Sequence, residues 1–259
     1  MEAEIGIIGG TGVYEPELLE KAREIKVHTP YGATSDLITL GEYQGRKVAI
    51  LPRHGKSHTV PPHMINFRAN IFALKKLGCQ RVLATCATGS LQENLKPGHI
   101  VVPDQFVDWS RTVHSFYGTG KFYHVGMAEP FCPELRRLLI DTGKSVGATV
   151  HTQGTYLKID GPQFSTRAAS RMYRNFADII GMTGVPEAIL CREQEMCFGI
   201  VATVTDFDSW IGHSTPFEEM KVIMAGNLEN TKNILKRVIP AIPEERTCRC
   251  RDALKGAEA

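Results

Sequence analysis

Apolar residues in this chain fall into short continuous runs separated by stretches with helical spacing. Ile5-Gly6-Ile7-Ile8 is a buried-strand run that stops at Gly9-Gly10-Thr11-Gly12. Residues 47–51 form a second run, halted by Pro52-Arg53-His54-Gly55. A helix is predicted over 66–77, with Phe67, Ile71 and Leu74 on one stripe and Gly78 as its stop. Residues 81–85 read as a strand leading into a small-residue loop, Cys86-Ala87-Thr88-Gly89-Ser90. Further strands are predicted at 100–102, 149–159, 179–182 and from Cys197 through Val201. Helices are predicted at 133–146 and 165–176, from Pro186 with its cap at Thr183 or Gly184, and from Phe217 to about Arg237.

Strands alternating with helices predict an α/β fold, a central mixed β-sheet flanked by helices. No composition break, linker or repeat divides the chain, so residues 1–259 are read as one domain with a cysteine-containing tail over about 244–259. In open α/β sheets, ligands gather at the carboxyl ends of strands. The polar clusters here stand just after strands, which points to one shared pocket.

Charge narrows the field. The formal net charge is +2, and Lys and Arg are scattered rather than striped, so nucleic-acid binding has no electrostatic footprint. The acidic start enters a strand pattern at once and no apolar run approaches the roughly 20 residues of a membrane span. A cytoplasmic protein without membrane or nucleic-acid partners is expected. Cys79, Cys86, Cys132, Cys191, Cys197, Cys248 and Cys250 make seven cysteines. Cys248-Arg249-Cys250 is too tightly spaced for a zinc knuckle, and no second Cys/His pair accompanies it in sequence. These thiols are either small buried hydrophobes or partners for disulfides, the tail joining an internal cysteine such as Cys191 or Cys197. His58 and His63 show no metal spacing either, so no metal site is expected.

The chemistry-bearing residues sort into two kinds. Gly9-Gly10-Thr11-Gly12 fails the dinucleotide fingerprint, because position 15 is Glu15, yet its N–H groups and hydroxyl suit an oxyanion. Arg53 offers a planar fork for bidentate contact with phosphate, and His54 a further donor. At Met182-Thr183-Gly184-Val185-Pro186-Glu187 a hydroxyl and helix-terminal N–H groups favour an anion. In Gly161-Pro162-Gln163-Phe164-Ser165-Thr166-Arg167, Ser165 or its neighbour caps a helix while Phe164 is free to form an aromatic wall. Asp206 and Asp208, two residues apart at a strand end, alternate to the same side and can serve an amino group and a ring nitrogen. Phosphate donors, an aromatic wall and an acid pair together describe a site for a nucleoside and inorganic phosphate.

With Met127-Ala128-Glu129-Pro130-Phe131-Cys132 added, these motifs stand in the order of the trimeric purine nucleoside phosphorylase family, which the chain resembles from about Ile5 to its last helix. It is most similar to the members that cleave 5′-methylthioadenosine. The resemblance implies a homo-oligomer, a trimer or dimer of trimers, with each site completed by a neighbouring subunit. It also implies reversible phosphorolysis of 5′-methylthioadenosine to adenine and 5-methylthioribose 1-phosphate, a purine and methionine salvage step, with phosphate as co-substrate and no cofactor. Carried over by residue, Thr11, Arg53, His54, Cys86, Ala87 and Thr183 surround phosphate. Phe164 and Met182 pack on base and ribose, Asp206 faces N7 and Asp208 the exocyclic amine as the catalytic pair, and His124 is lent to the 5′ pocket next door.

Cys86 replaces a hydroxyl residue usual in the family, and Gly184 a bulkier hydroxyl residue. Relatives acting on 6-oxopurines usually carry Glu in place of Ser165 and Asn in place of Asp206. A carboxylate accepts from an amino group where Asn can donate to a carbonyl, which favours adenine. The rival readings are a 6-oxopurine or methylthioinosine phosphorylase, a hydrolase that needs no phosphate ligands, and a nucleoside-binding sensor that needs no acid.

Overall fold

The structure, a computed structural model, describes residues 2–10, 18–212 and 216–259. Eleven strands join in one mixed sheet. They are β1 (Ile5–Gly9), β2 (Glu20–Ile25), β3 (Ile38–Tyr43), β4 (Arg46–Pro52), β5 (Arg81–Ser90), β6 (Ile100–Val101), β7 (Gln105–Asp108), β8 (Val150–His151), β9 (Thr155–Lys158), β10 (Ile179–Gly181) and β11 (Cys197–Asp206). The helices are α1 (Phe67–Leu77), α2 (Pro133–Ser145), α3 (Arg167–Tyr173), α4 (Gly184–Glu193) and α5 (Phe217–Ala241). The expected α/β architecture is present.

β5 is the axis of the sheet. Its first residues pair parallel with β1 on one edge, its whole length pairs parallel with β11 on the other, and Gly89 and Ser90 pair antiparallel with β10. β10 therefore runs back toward Thr88, and its carboxyl end meets the carboxyl ends of β1, β4, β5 and β11 from the opposite direction. That convergence makes the cleft. The stretch read as a small-residue loop, Cys86 to Ser90, is thus the second half of β5. Its small side chains do not break extended pairing; they leave room above it.

Alternation along the central strands divides the core between two faces. Ile8, Val82, Ala84 and Ile200 pack with α1 and α4, whereas Ile5, Ile7, Leu83 and Val201 pack with α2 and α5. α1 begins where Asn66 Oδ1 accepts from the Ala69 N–H at 3.1 Å and ends on Gly78 in the left-handed region (φ 100°), as its sequence requires. At the far end of α5, Arg46 donates to the Ile242 and Ile239 carbonyls at 2.6 and 3.3 Å while its other nitrogens bind Glu4. Orphan helix-end carbonyls are satisfied, and the helix is tied to the β1–β4 edge.

Three strands escape the apolar pattern. β2 reads Glu-Lys-Ala-Arg-Glu-Ile and is exposed along nearly its whole length, so it is an edge strand with no buried face to betray it. β3 and β7 likewise offer only part-buried patterns. The 149–159 run splits into β8 and β9, and the 165–176 helix is confined to α3, capped by Thr166 Oγ1, which accepts from the Ala169 N–H at 3.1 Å.

Candidate active site

A cleft of about 570 Å³ opens at the convergent strand ends, a size suited to a nucleoside. Arg53, His54, Cys86, Ala87, Thr183, Phe164, Met182, Asp206 and Asp208 all border it. Two expected site residues stand apart. Thr11 lies outside the described residues, and His124 does not border this cleft but an open depression elsewhere on the chain.

One end of the cleft is cationic. Arg53, directly after β4, is 1% exposed. Its Nε and Nη2 donate to the two carboxylate oxygens of Glu187 at 2.5 and 2.9 Å, and Nη1 donates to the Thr85 carbonyl at 2.8 Å. Burial works against the guanidinium charge, but the Glu187 carboxylate more than restores it and holds Arg53 above its ordinary range. The bidentate face expected to grip phosphate is thus occupied by Glu187, and Arg53 keeps for any ligand only the Nη1 and Nη2 N–H bonds that Glu187 and Thr85 do not take. Glu187 itself lies in the first turn of α4, wholly buried. Pattern reading overlooked it, because an acidic residue in a first helical turn is ordinary.

His54 follows. Its Nδ1 lies 2.9 Å from the Val60 carbonyl, which only accepts, so Nδ1 carries hydrogen and Nε2 is left for a ligand. Burial, with Arg53 beside it, depresses His54 to about 4. The neutral ring therefore offers Nε2 as an acceptor for a phosphate hydroxyl. Thr183, 7% exposed, is the N-cap of α4, so the helix N-terminus opens at this end. Cys86 Sγ sits 3.8 Å from Arg53 Nη2 and 3.6 Å from Thr183 Oγ1. Burial pushes its thiol up, so it stays neutral and does not repel an anion.

Gly184 acquires a local reason. A Cβ there would stand 2.7 Å from Ile200 Cδ1 and 3.4 Å from the Tyr156 ring, so a larger residue at the first position of α4 would require the Ile200 side chain to shift.

The acid pair forms the other end. β11 slips register against β5 after Val204 and stops at Asp206, and Asp208 takes a left-handed conformation (φ 47°). A bulge and a turn, rather than strand alternation, bring both carboxyls to one cleft. Asp206 accepts from Thr205 Oγ1 at 2.7 Å and from the Asp208 N–H at 2.9 Å. Burial outweighs those bonds and, with Asp208 adding repulsion, raises the Asp206 carboxyl above its ordinary value. Asp208 Oδ2 is buried with no hydrogen-bond partner among the described residues. Gly89 admits the pair, since a Cβ there would meet Asp208 Cβ at 3.2 Å and Ile180 Cγ2 at 3.1 Å. Between the ends stand Met182 and Phe164, the latter 69% exposed at the cleft mouth.

Away from the cleft, the sulfurs of Cys132, Cys197, Cys248 and Cys250 lie within 4.8 Å of one another. Cys197 and Cys248 approach to 3.3 Å, while Cys191 is outside the group, and all seven cysteines are free thiols here. Such a quartet suits two disulfides or one tetrahedral thiophilic cation. Spacing alone could not reveal it, because the fold brings the tail to Cys132 at the N-cap of α2 and Cys197 at the start of β11.

Glu187→Gln is expected to lower stability by roughly 3–5 kcal/mol, the usual effect of leaving a buried charge unpaired. Saturating phosphate should recover more of that loss than it adds to the parent protein, because the anion would neutralise Arg53. Thermal melts with and without phosphate check this; an equal phosphate shift in both proteins would separate Arg53 from phosphate.

The chain is 51% identical over 258 residues to an S-methyl-5′-thioadenosine phosphorylase of Thermofilum pendens, covering 99% of this chain and 98% of that one. It is 48% identical over 255 residues to a probable 6-oxopurine nucleoside phosphorylase of Dictyoglomus turgidum, covering 97% and 96%. The solved structure of a methylthioadenosine phosphorylase sourced from an antarctic soil metagenomic library superposes with a TM-score of 0.94 at 42% identity, covering 99% of this chain and 92% of that one. Residues 4–240 match the model of the phosphorylase superfamily, and the chain belongs to that family.

Proposed function

We propose that this chain catalyses the reversible, phosphate-dependent cleavage of 5′-methylthioadenosine to adenine and 5-methylthioribose 1-phosphate. The observation that carries the reading is the Oδ2 of Asp208, buried beside Asp206 with no hydrogen-bond partner among the described residues. A buried carboxylate oxygen needs a donor, and the exocyclic amine of adenine provides one where a 6-oxo group does not.

The chemistry follows from the two ends of the cleft. As the C1′–N9 bond breaks, its electron pair passes to the purine and the sugar gains oxocarbenium character. Asp206, its pKa raised by burial, delivers a proton to N7 and neutralises the leaving base. Phosphate, held by Arg53, His54, Ala87 and Thr183 beside the neutral thiol of Cys86, forms the new bond to C1′ from the opposite face, with inversion. Positioning and electrostatic stabilisation supply the rate, and no cofactor or covalent enzyme intermediate is needed.

The remaining parts belong to the same proposal. Residues 1–259 act as one catalytic domain with its tail, working in the cytoplasm as a trimer or dimer of trimers. His124 of each subunit serves the 5′ pocket of the next, a role supported by its exposure and its distance from its own cleft. The thiol quartet forms two disulfides that tie the tail to the body.

Three measurements test these statements. Adenine release from 5′-methylthioadenosine should require phosphate, with inosine cleaved far more slowly. Release without phosphate would mean a hydrolase, and preference for inosine would favour the chemistry named for the Dictyoglomus relative. Because rising pH strips the proton from Asp206, kcat should fall as pH passes its raised pKa. Asp206→Asn should lose that limb along with roughly 10²–10⁴-fold of rate, and an unaltered profile would remove Asp206 as the acid. Thiol titration of the denatured, unreduced protein should count three free thiols, rising to seven on reduction. Seven without reduction, with one zinc released per chain, would replace the disulfides with a tetrathiolate site.

A further inference from the structure

Residues 118–125 carry no helix or strand beyond one bridge at Tyr123, yet they hold His124. The C-terminal tail supplies the pairing this loop lacks. The His124 N–H donates to the Ala257 carbonyl at 2.8 Å, and the Ala259 N–H donates to the Phe122 carbonyl at 3.2 Å. Tyr123 faces Glu258 across this short antiparallel ribbon, and Lys121 Nζ lies 2.7 Å from the Glu258 carboxylate. The His124 ring packs edge-on against Phe122 at 5.3 Å between centroids, so fixing one ring fixes the other.

The tail is anchored before it reaches the loop. Arg246 Nη1 donates to the Glu195 carbonyl at 2.8 Å, and the Thr247 N–H donates to Glu134 Oε1 at 2.8 Å. Cys248 and Cys250 then enter the thiol quartet, and the Leu254 N–H donates to Glu195 Oε1 at 3.3 Å. From the other side, Tyr117 stacks against Tyr123 at 5.2 Å, and the Glu193 carboxylate accepts from Ser115 Oγ and the Phe116 N–H. His124 borders a depression shared with Arg192, Arg249, Asp252 and Lys255, none of which borders the nucleoside cleft of the same chain.

We propose that the segment 257–259 is a positioning element for substrate recognition. By clamping residues 121–124 it sets where His124 stands, and so sets the affinity of the neighbouring subunit's cleft for the 5′ end of the nucleoside. The inference rests on the proposed role of His124 in that neighbouring 5′ pocket. The tail touches neither base nor phosphate; its effect passes through His124, which separates it from the acid pair and from Arg53.

The test uses charge reversal in the oligomer of the 259-residue chain. Glu258→Lys sets like charges at the Lys121 position and should raise KM for 5′-methylthioadenosine about two- to fivefold, the modest effect of an exposed pair. kcat and KM for phosphate should hold, and the swap Lys121→Glu with Glu258→Lys should restore KM. Removal of residues 257–259 should raise the same KM on the order of tenfold, because several residues are then left to be ordered on binding. It should add nothing to His124→Ala. An unchanged KM in the truncated protein, with a raised KM in His124→Ala, would overturn the tail's role and leave the reading of His124 standing. No effect from His124→Ala would overturn both. A truncation that lowers kcat and weakens phosphate together would show a general structural support and overturn the proposal.

Discussion

The buried pair of Arg53 and Glu187 is the interaction on which the site is built. Neither residue can be removed alone without leaving an unpaired charge in a dry interior, so the two positions are linked although 134 residues separate them. Arg53 follows β4, Glu187 belongs to α4, and the Thr85 carbonyl that receives Nη1 lies on β5. One guanidinium therefore fastens two strands and a helix at the point where their ends converge. Its planar donors set the angle at which α4 presents its N-terminus, with Thr183 as the cap. The cation is held in place before any anion arrives, and it costs little reorganisation when one does.

Much of this arrangement was legible in the sequence because the functional residues follow buried runs directly. Arg53 and His54 succeed an apolar strand, Met182 and Thr183 another, and Asp206 a third, so the rule that ligands gather at strand ends brought them together. What stayed hidden depends on contacts distant along the chain or on polar pattern. β2 lies on the sheet edge with little to bury, and its charged sequence resembles any solvated segment. The second half of β5 was read as a loop because Ala87, Thr88, Gly89 and Ser90 are small, whereas their smallness makes room for the acid pair. Asp208 reaches the cleft through a left-handed turn that no alternation rule predicts.

The thiol quartet shows the same limit from another side. Cys132, Cys197, Cys248 and Cys250 come from the cap of a helix, the start of a strand and a tail, and only the packing of α2 and α5 on one sheet face unites them. Of the two internal cysteines named as disulfide partners for the tail, Cys197 lies 3.3 Å from Cys248 with both thiols free, and Cys191 packs among the apolar residues on the α1–α4 side. A tail fixed at this point is short enough to reach Tyr123 and His124 with a defined geometry. Anchoring and reach are parts of one device.

The two ends of the cleft make opposing electrostatic demands, and the pairing of Arg53 reconciles them. An acid poised to protonate a purine needs a raised pKa, and an uncompensated guanidinium in the same cavity would pull it down. Burial, with repulsion from Asp208, raises Asp206 against the bonds it accepts from Thr205 and the Asp208 N–H. Glu187 offsets part of the Arg53 charge and leaves N–H bonds of that guanidinium and the α4 N-terminus to act at short range. In the proposed reaction, phosphate would then be gathered at one end without costing the other its proton. The negative charge of that anion would favour protonated Asp206 further. Under the proposed reaction, binding of the co-substrate would prepare the acid, and the order of events would follow from where the charges of the cleft are paired.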